Sequence, residues 1–213
     1  LTYDQLAGVF GEDGVWRQAE AELPDGLSHE ETRRFLAEVG LPKSLKRGYL
    51  SLDESALTGE FETLSELYES VGEEEGWTWE RPPNADRWYV LGGFFGGEVA
   101  VDGETGKVWF VPDWDEAPTP LHSGVDALAY YMYVLERGKN RYSFERASSI
   151  ADDPADPRDR SDVYREVARE LVAELREADP TPFVDDASEP WSNDFAGPWS
   201  TAFFDIAEGT WSA

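Results

Sequence analysis

Residues 87–114, RWYVLGGFFGGEVAVDGETGKVWFVPDW, constrain the fold more tightly than any other part of this chain. Apolar-rich runs at 88–95, 98–101 and 107–111 are separated by Gly96-Gly97 and by Asp102-Gly103-Glu104-Thr105-Gly106. Both separators have hairpin length and are built from residues that accept tight-turn backbone. The pattern predicts an antiparallel meander. At 213 residues the chain can bury roughly 70% of its unfolded surface, enough for one good core.

Helical signals flank the meander. Thr2 with Gln5 predicts a capping box and a short helix through Phe10. A second amphipathic stretch runs over 15–23 and stops at Pro24. Ser28 with Glu31 predicts another box, whose helix turns Phe35, Leu36 and Val39 inward before Gly40. The chain then becomes extended around Tyr49 to Leu52. Leu64, Leu67, Tyr68 and Val71 suggest one or two helical turns in an otherwise polar region that ends at Arg81-Pro82-Pro83-Asn84.

After the meander, 117–120 reads as a Pro-marked loop, and Ser123 with Asp126 opens a helix carrying Leu128, Tyr131, Met132 and Leu135 on one face. Residues 151–160 read as a solvated linker. The helix after it places Val163, Val167, Leu171 and Leu175 at helical spacing. The tail holds Trp191, Phe195, Trp199, Phe203, Phe204, Ile206 and Trp211, too many large apolar groups to stand in water, so it is expected to dock on the main body.

Charge narrows the choice of partner. Forty-five acidic residues against eighteen basic ones give a formal net charge of −27. Such a field repels nucleic acid and anionic lipid and attracts basic protein surfaces or cations. An aromatic content of 14% argues for a folded chain, because disordered acidic chains are poor in such residues. Cysteine is absent, which fits a reducing cytoplasm. No apolar run approaches the length of a membrane span, and the first residues lack the features of a signal peptide.

Candidate reactive motifs fail on their chemistry. DGETGK ends on Val108 where a phosphate loop needs Ser or Thr, so a hairpin turn is the better reading. GGFFGG spaces its glycines wrongly for a dinucleotide fingerprint and suits turn and bulge positions. The two histidines, His29 and His122, lie at expected helix starts, where surface or capping roles are ordinary. The 152–162 stretch lacks the central Gly and terminal Glu of a calcium loop. No catalytic residue, metal site or cofactor is expected.

Two clusters interleave carboxylates with tryptophan: Glu73, Glu74, Glu75, Trp77 and Trp79; and Asp113, Trp114, Asp115 and Glu116. Trp anchors beside charges have the composition of a protein-binding hot spot. They also have the composition of a carbohydrate site, with rings under the sugar and two acids across the bond. The plain alternative is core tryptophans with solvated acidic neighbours.

The order of elements is similar to that of the SUKH superfamily. The resemblance rests on a helix running into Gly40-Leu41-Pro42, the strand YVLG at 89–92, VDGETGKVW at 101–109, and a Ser-initiated amphipathic helix. It spans about 25–140 well and the rest loosely, nearest the branch with a C-terminal extension, where Asp179-Pro180 and the Trp-rich 199–211 stretch are matched. His122 stands before Ser123 where the family often has Asn. The resemblance implies an α+β fold: a twisted, mostly antiparallel sheet with helices packed around it. It implies one domain over 1–213, with a core at about 25–150 and a C-terminal helical extension at about 151–213 docked on it. Members are mostly bacterial immunity proteins that neutralise toxins of polymorphic toxin systems. The implied partner is a protein toxin, expected to be basic and to act on nucleic acid. No functional residue is carried over, because the matching motifs are structural. Part of the acidity can also be host background, since only Lys43, Lys46, Lys107 and Lys139 are lysines, as in salt-adapted or Arg-favouring proteomes.

Overall fold

The meander forms the middle of a six-stranded antiparallel sheet. The computed structural model describes residues 1–45, 48–70, 79–113, 116–183 and 197–212. In chain order the elements are α1 (Tyr3–Phe10), β1 (Val15–Trp16), α2 (Glu30–Glu38), β2 (Leu41–Pro42), β3 (Ser44–Leu45), β4 (Leu50–Leu52), α3 (Glu54–Thr58) and α4 (Leu64–Ser70). Then follow β5 (Trp88–Phe94), β6 (Gly97–Asp102), β7 (Val108–Pro112), β8 (Thr119–His122), α5 (Val125–Gly138), α6 (Phe144–Ala151), α7 (Arg160–Ala178) and α8 (Ser200–Ala207). The fold is α+β. The chain divides into two compact units, Leu1–Tyr133 and Val134–Ala213, and the division falls within α5.

In the first unit the large sheet runs β3-β4-β5-β6-β7-β8, while β1 and β2 pair in a ladder of their own. Register fixes what each sheet face carries, because side chains alternate along a strand. Trp88 pairs with Asp102, Val90 with Ala100, Gly93 with Glu98, and Glu98 in turn with Val111. These residues, with Trp109, therefore share one face. Tyr89, Phe94, Val99, Val101, Val108 and Phe110 share the other, and all six are buried. Phe61 meets Tyr89 edge-on at 6.1 Å and Trp16 at 5.8 Å on that second face.

Gly92 is required where β5 bulges. The register shifts between Val90 and Gly92, and a Cβ on Gly92 would lie 2.0 Å from the Ser51 carbonyl oxygen. The bulge seats β4 closely enough to pair. The turn after β6 is organised by Asp102. Its carboxylate accepts from the Asn84 side chain (3.1 Å), the Glu104 amide (2.9 Å) and the Thr105 hydroxyl (2.7 Å). Gly106 closes the turn at φ +72°. DGETGK is thus a hairpin turn.

Several local expectations are corrected. Residues 15–23 form no helix: Val15 and Trp16 pair with Pro42 and Leu41 and are buried there, followed by a 3-10 turn at Glu20–Glu22. Helix α2 is capped by His29 rather than Ser28, its Nδ1 accepting the Thr32 amide at 3.3 Å. The Ser28 and His29 amides both donate to the Gly103 carbonyl, which holds the helix start against the β6–β7 turn. The Pro-marked loop contains β8, an edge strand, the position in a sheet where proline is tolerated. His122 therefore ends a strand and is buried, its ring edge-on to Tyr131 with the ring centroids 4.4 Å apart, so it is not a surface histidine.

In the second unit α7 is opened by a reciprocal Asp159–Asp162 capping box and buries Val163, Val167, Leu171 and Leu175, together with Tyr164, Ala168 and Val172. Helix α8 packs on α7 and buries Phe203 and Ile206, with Trp199 just before it and Trp211 just after also enclosed. The Tyr142 hydroxyl donates to the Leu135 carbonyl at 2.6 Å, and burial pushes its ionisation well above the usual tyrosine range.

Candidate acidic and aromatic face

Of the nine residues singled out in the two Trp–acid clusters, Trp79, Asp113 and Glu116 are described; Glu73, Glu74, Glu75, Trp77, Trp114 and Asp115 lie outside the described residues. Trp79 is half-buried. It meets Tyr68 edge-on at 5.6 Å and joins a cluster of Leu64, Trp88, Ala100 and Val111, with Leu67 and Trp109 beside it. Trp88 and Trp109 stack at 4.9 Å. Asp113 and Glu116 are exposed, and the Asp113 amide donates to the Gly96 carbonyl at 3.1 Å. The two clusters, more than thirty positions apart in sequence, thus have described members on one side of β6 and β7.

The same face changes character along the strands. One half is the tryptophan cluster. The other is small and acidic, with Ser51, Gly93 and Glu98 in a row across β4, β5 and β6. Gly93 lies against the glutamate, where a Cβ would be in ordinary contact at 3.8 Å from Glu98 Oε2. That oxygen is buried and has no hydrogen-bond partner, and the half-buried Trp109 leaves its Nε1 equally unmatched. Burial first, and then the nearby Asp53, Asp113 and Glu62 carboxylates, push the Glu98 carboxyl up to about 7. Burial raises Asp53 as well. Among the described residues none of these four acids is in an ion pair.

At the end of this face the β3–β4 and β5–β6 turns bring two aromatic rings together. Tyr49 and Phe95 stack at 5.7 Å with an interplanar angle of 3°, and Phe95 is 58% exposed. The Phe95 amide donates to the Tyr49 carbonyl at 3.0 Å, which ties the turns together. Glu98 and Phe95 are set apart by register and exposure rather than by any motif in the sequence. The available signal was a lone carboxylate inside an otherwise apolar strand run, next to a Gly-flanked phenylalanine pair.

A cleft of about 280 Å³ lies elsewhere in the first unit, where His29, Thr32, Arg34 and Phe35 of the α2 region face Ser123, Val125 and Asp126 at the start of α5. Its histidine is engaged as a cap and its charges are mixed, so the cleft gathers no chemistry. Among the described residues no group of His, Cys, Asp or Glu is placed to hold a metal ion, and no helix is long and apolar enough to cross a membrane.

A family model described as SUKH-4 immunity protein matches residues 1–197. No curated protein and no solved structure matches the chain.

Proposed function

We propose that this chain, which belongs to the SUKH-4 immunity protein family, acts by occupancy rather than chemistry: it binds and neutralises a basic protein toxin in the cytoplasm of the cell that makes it. The family membership carries the reading, and the acidic, tryptophan-containing sheet face supports it. A toxin that grips nucleic acid needs a basic cleft. Carboxylates presented where phosphates would lie can fill such a cleft. Long-range attraction supplies speed and discrimination, while aromatic anchors slow dissociation. The anchors and acids proposed for the interface are Trp77, Trp79 and Trp114 with Glu73, Glu74, Glu75, Asp113, Asp115 and Glu116.

The test begins with affinity capture from the native host and identification of the captured protein. That protein should be toxic when expressed alone and harmless when expressed with the chain. Replacing Trp77 or Trp114 by Ala should then weaken the complex mainly by speeding dissociation, read by surface plasmon resonance. Unchanged dissociation in both variants would remove these tryptophans from the interface. A captured protein whose toxicity persists beside the chain would remove the reading itself.

A further inference from the structure

We propose that the acidic end of the sheet face receives a lysine or arginine of the partner, with Glu98 taking the cation and the Tyr49–Phe95 pair supporting its apolar stem. The inference rests on the toxin-binding reading and names where on the chain, and by what chemistry, the partner is held.

Glu98 Oε2 is buried with no hydrogen-bond donor, while the side chain as a whole is half-buried and open to an incoming group. A buried charged oxygen in that position is costly unless a cation meets it. The groups that surround it, Asp53 after β4, Glu62 before α4 and Asp113 after β7, are all carboxylates, so the described structure supplies no cation. With no compensating cation among the described residues, the position is open to one supplied by a partner. Beside this cluster stands an exposed phenylalanine stacked on a tyrosine. A flat ring of that kind accepts either a guanidinium plane or the methylene stem of lysine.

Charge selects the occupant. A second copy of the chain brings another −27 and is repelled, as are nucleic acid and anionic lipid. A basic protein surface is attracted at long range and offers side chains that fit at short range. Pairing with a cation favours ionised Glu98, so binding expels a proton whenever the free carboxyl still holds one. Because that carboxyl sits at about 7 in the free protein, affinity should climb with pH toward neutrality, by up to about tenfold per unit, and level off above it.

The probe is a hexa-arginine peptide, titrated into the full chain and followed by amide and side-chain carboxyl NMR between about pH 5.5 and 8, where Glu98 titrates and ordinary carboxylates do not. Shifts should concentrate at Tyr49, Phe95, Glu98 and Asp113. Affinity should rise with pH in the wild type and stay flat in Glu98→Gln, and Phe95→Ala should weaken binding at every pH. Shifts spread over the exposed acids of α7, or a pH dependence that survives in Glu98→Gln, would overturn the assignment. So would calcium alone reproducing the Glu98 shift, since that would make the position a metal site. The same variants separate the two claims. If Glu98→Gln and Phe95→Ala still capture and neutralise the toxin as well as wild type, the docking position is wrong and the immunity reading stands; if wild type neutralises nothing, the reading fails first.

Discussion

Two acids on the same strand show how neighbours decide what a carboxylate does. Asp102 is buried but fully engaged by Asn84, Glu104 and Thr105, so it stabilises the β6–β7 turn. Asp102→Ala strands those donors and should lower stability by about 1–3 kcal/mol in urea denaturation. Glu98, four residues earlier, has an oxygen with nothing to accept from. Its carboxyl is raised from 4.5 to about 7 in the folded protein. In the unfolded chain it is already ionised through that interval, so the folded state holds the extra proton. Its contribution to stability is therefore full below about 4.5 and lost as pH rises through 7. Glu98→Gln should make the protein more stable than wild type at pH 8, with the gap closing toward pH 5, when melting is followed across pH. Equal pH dependence in both proteins would show that Glu98 titrates normally.

Among the elements, the meander holds the rest of the sheet in place through its glycines. Gly92→Ala would push a methyl group into the Ser51 carbonyl and should cost about 1–3 kcal/mol while loosening the β4–β5 ladder, visible as faster amide exchange at Asp53 and Phe95, whose amides donate to Leu91 and Tyr49. Unchanged exchange at those amides would mean that β4 is not seated by the bulge. Strands β5 to β7 were legible because apolar runs and turn residues agree within a short window. Helix α1 was legible from its Thr2–Gln5 capping box, and α5 and α7 from periodicity. The two-residue strands β1, β2 and β3 were not, since their pairing is decided by partners far along the chain. Strand β8 hid behind prolines that an edge position tolerates. Helix α3, at five residues, is too short to leave a periodic signal, and α6 opens on Ser143 with Arg146 where a capping box would have Glu or Gln. The candidate face was half legible: tryptophans interleaved with acids can be seen in composition. Glu98 only becomes unusual once register sets it beside Gly93 and among Asp53, Glu62 and Asp113.

For the molecule as a whole, the distribution of the −27 matters more than its size. In the second unit many acids are matched on the surface: Arg137 with Glu174, Arg141 with Glu170, Arg158 with Asp156 and Glu166, and Arg165 with Glu208. Such exposed pairs add little stability but cancel local field. The acids on the sheet face of the first unit have no such partners among the described residues. An unmatched negative surface beside exposed aromatic rings is suited to draw in a basic protein and then hold it. Whether this field guides the encounter is read most directly from the association rate of the chain with the protein it captures, measured by stopped flow from low to high salt. Electrostatic guidance predicts a rate some 10- to 1,000-fold above the unsteered value at low salt, falling steeply as salt rises, with dissociation nearly constant. An association rate indifferent to ionic strength would contradict it.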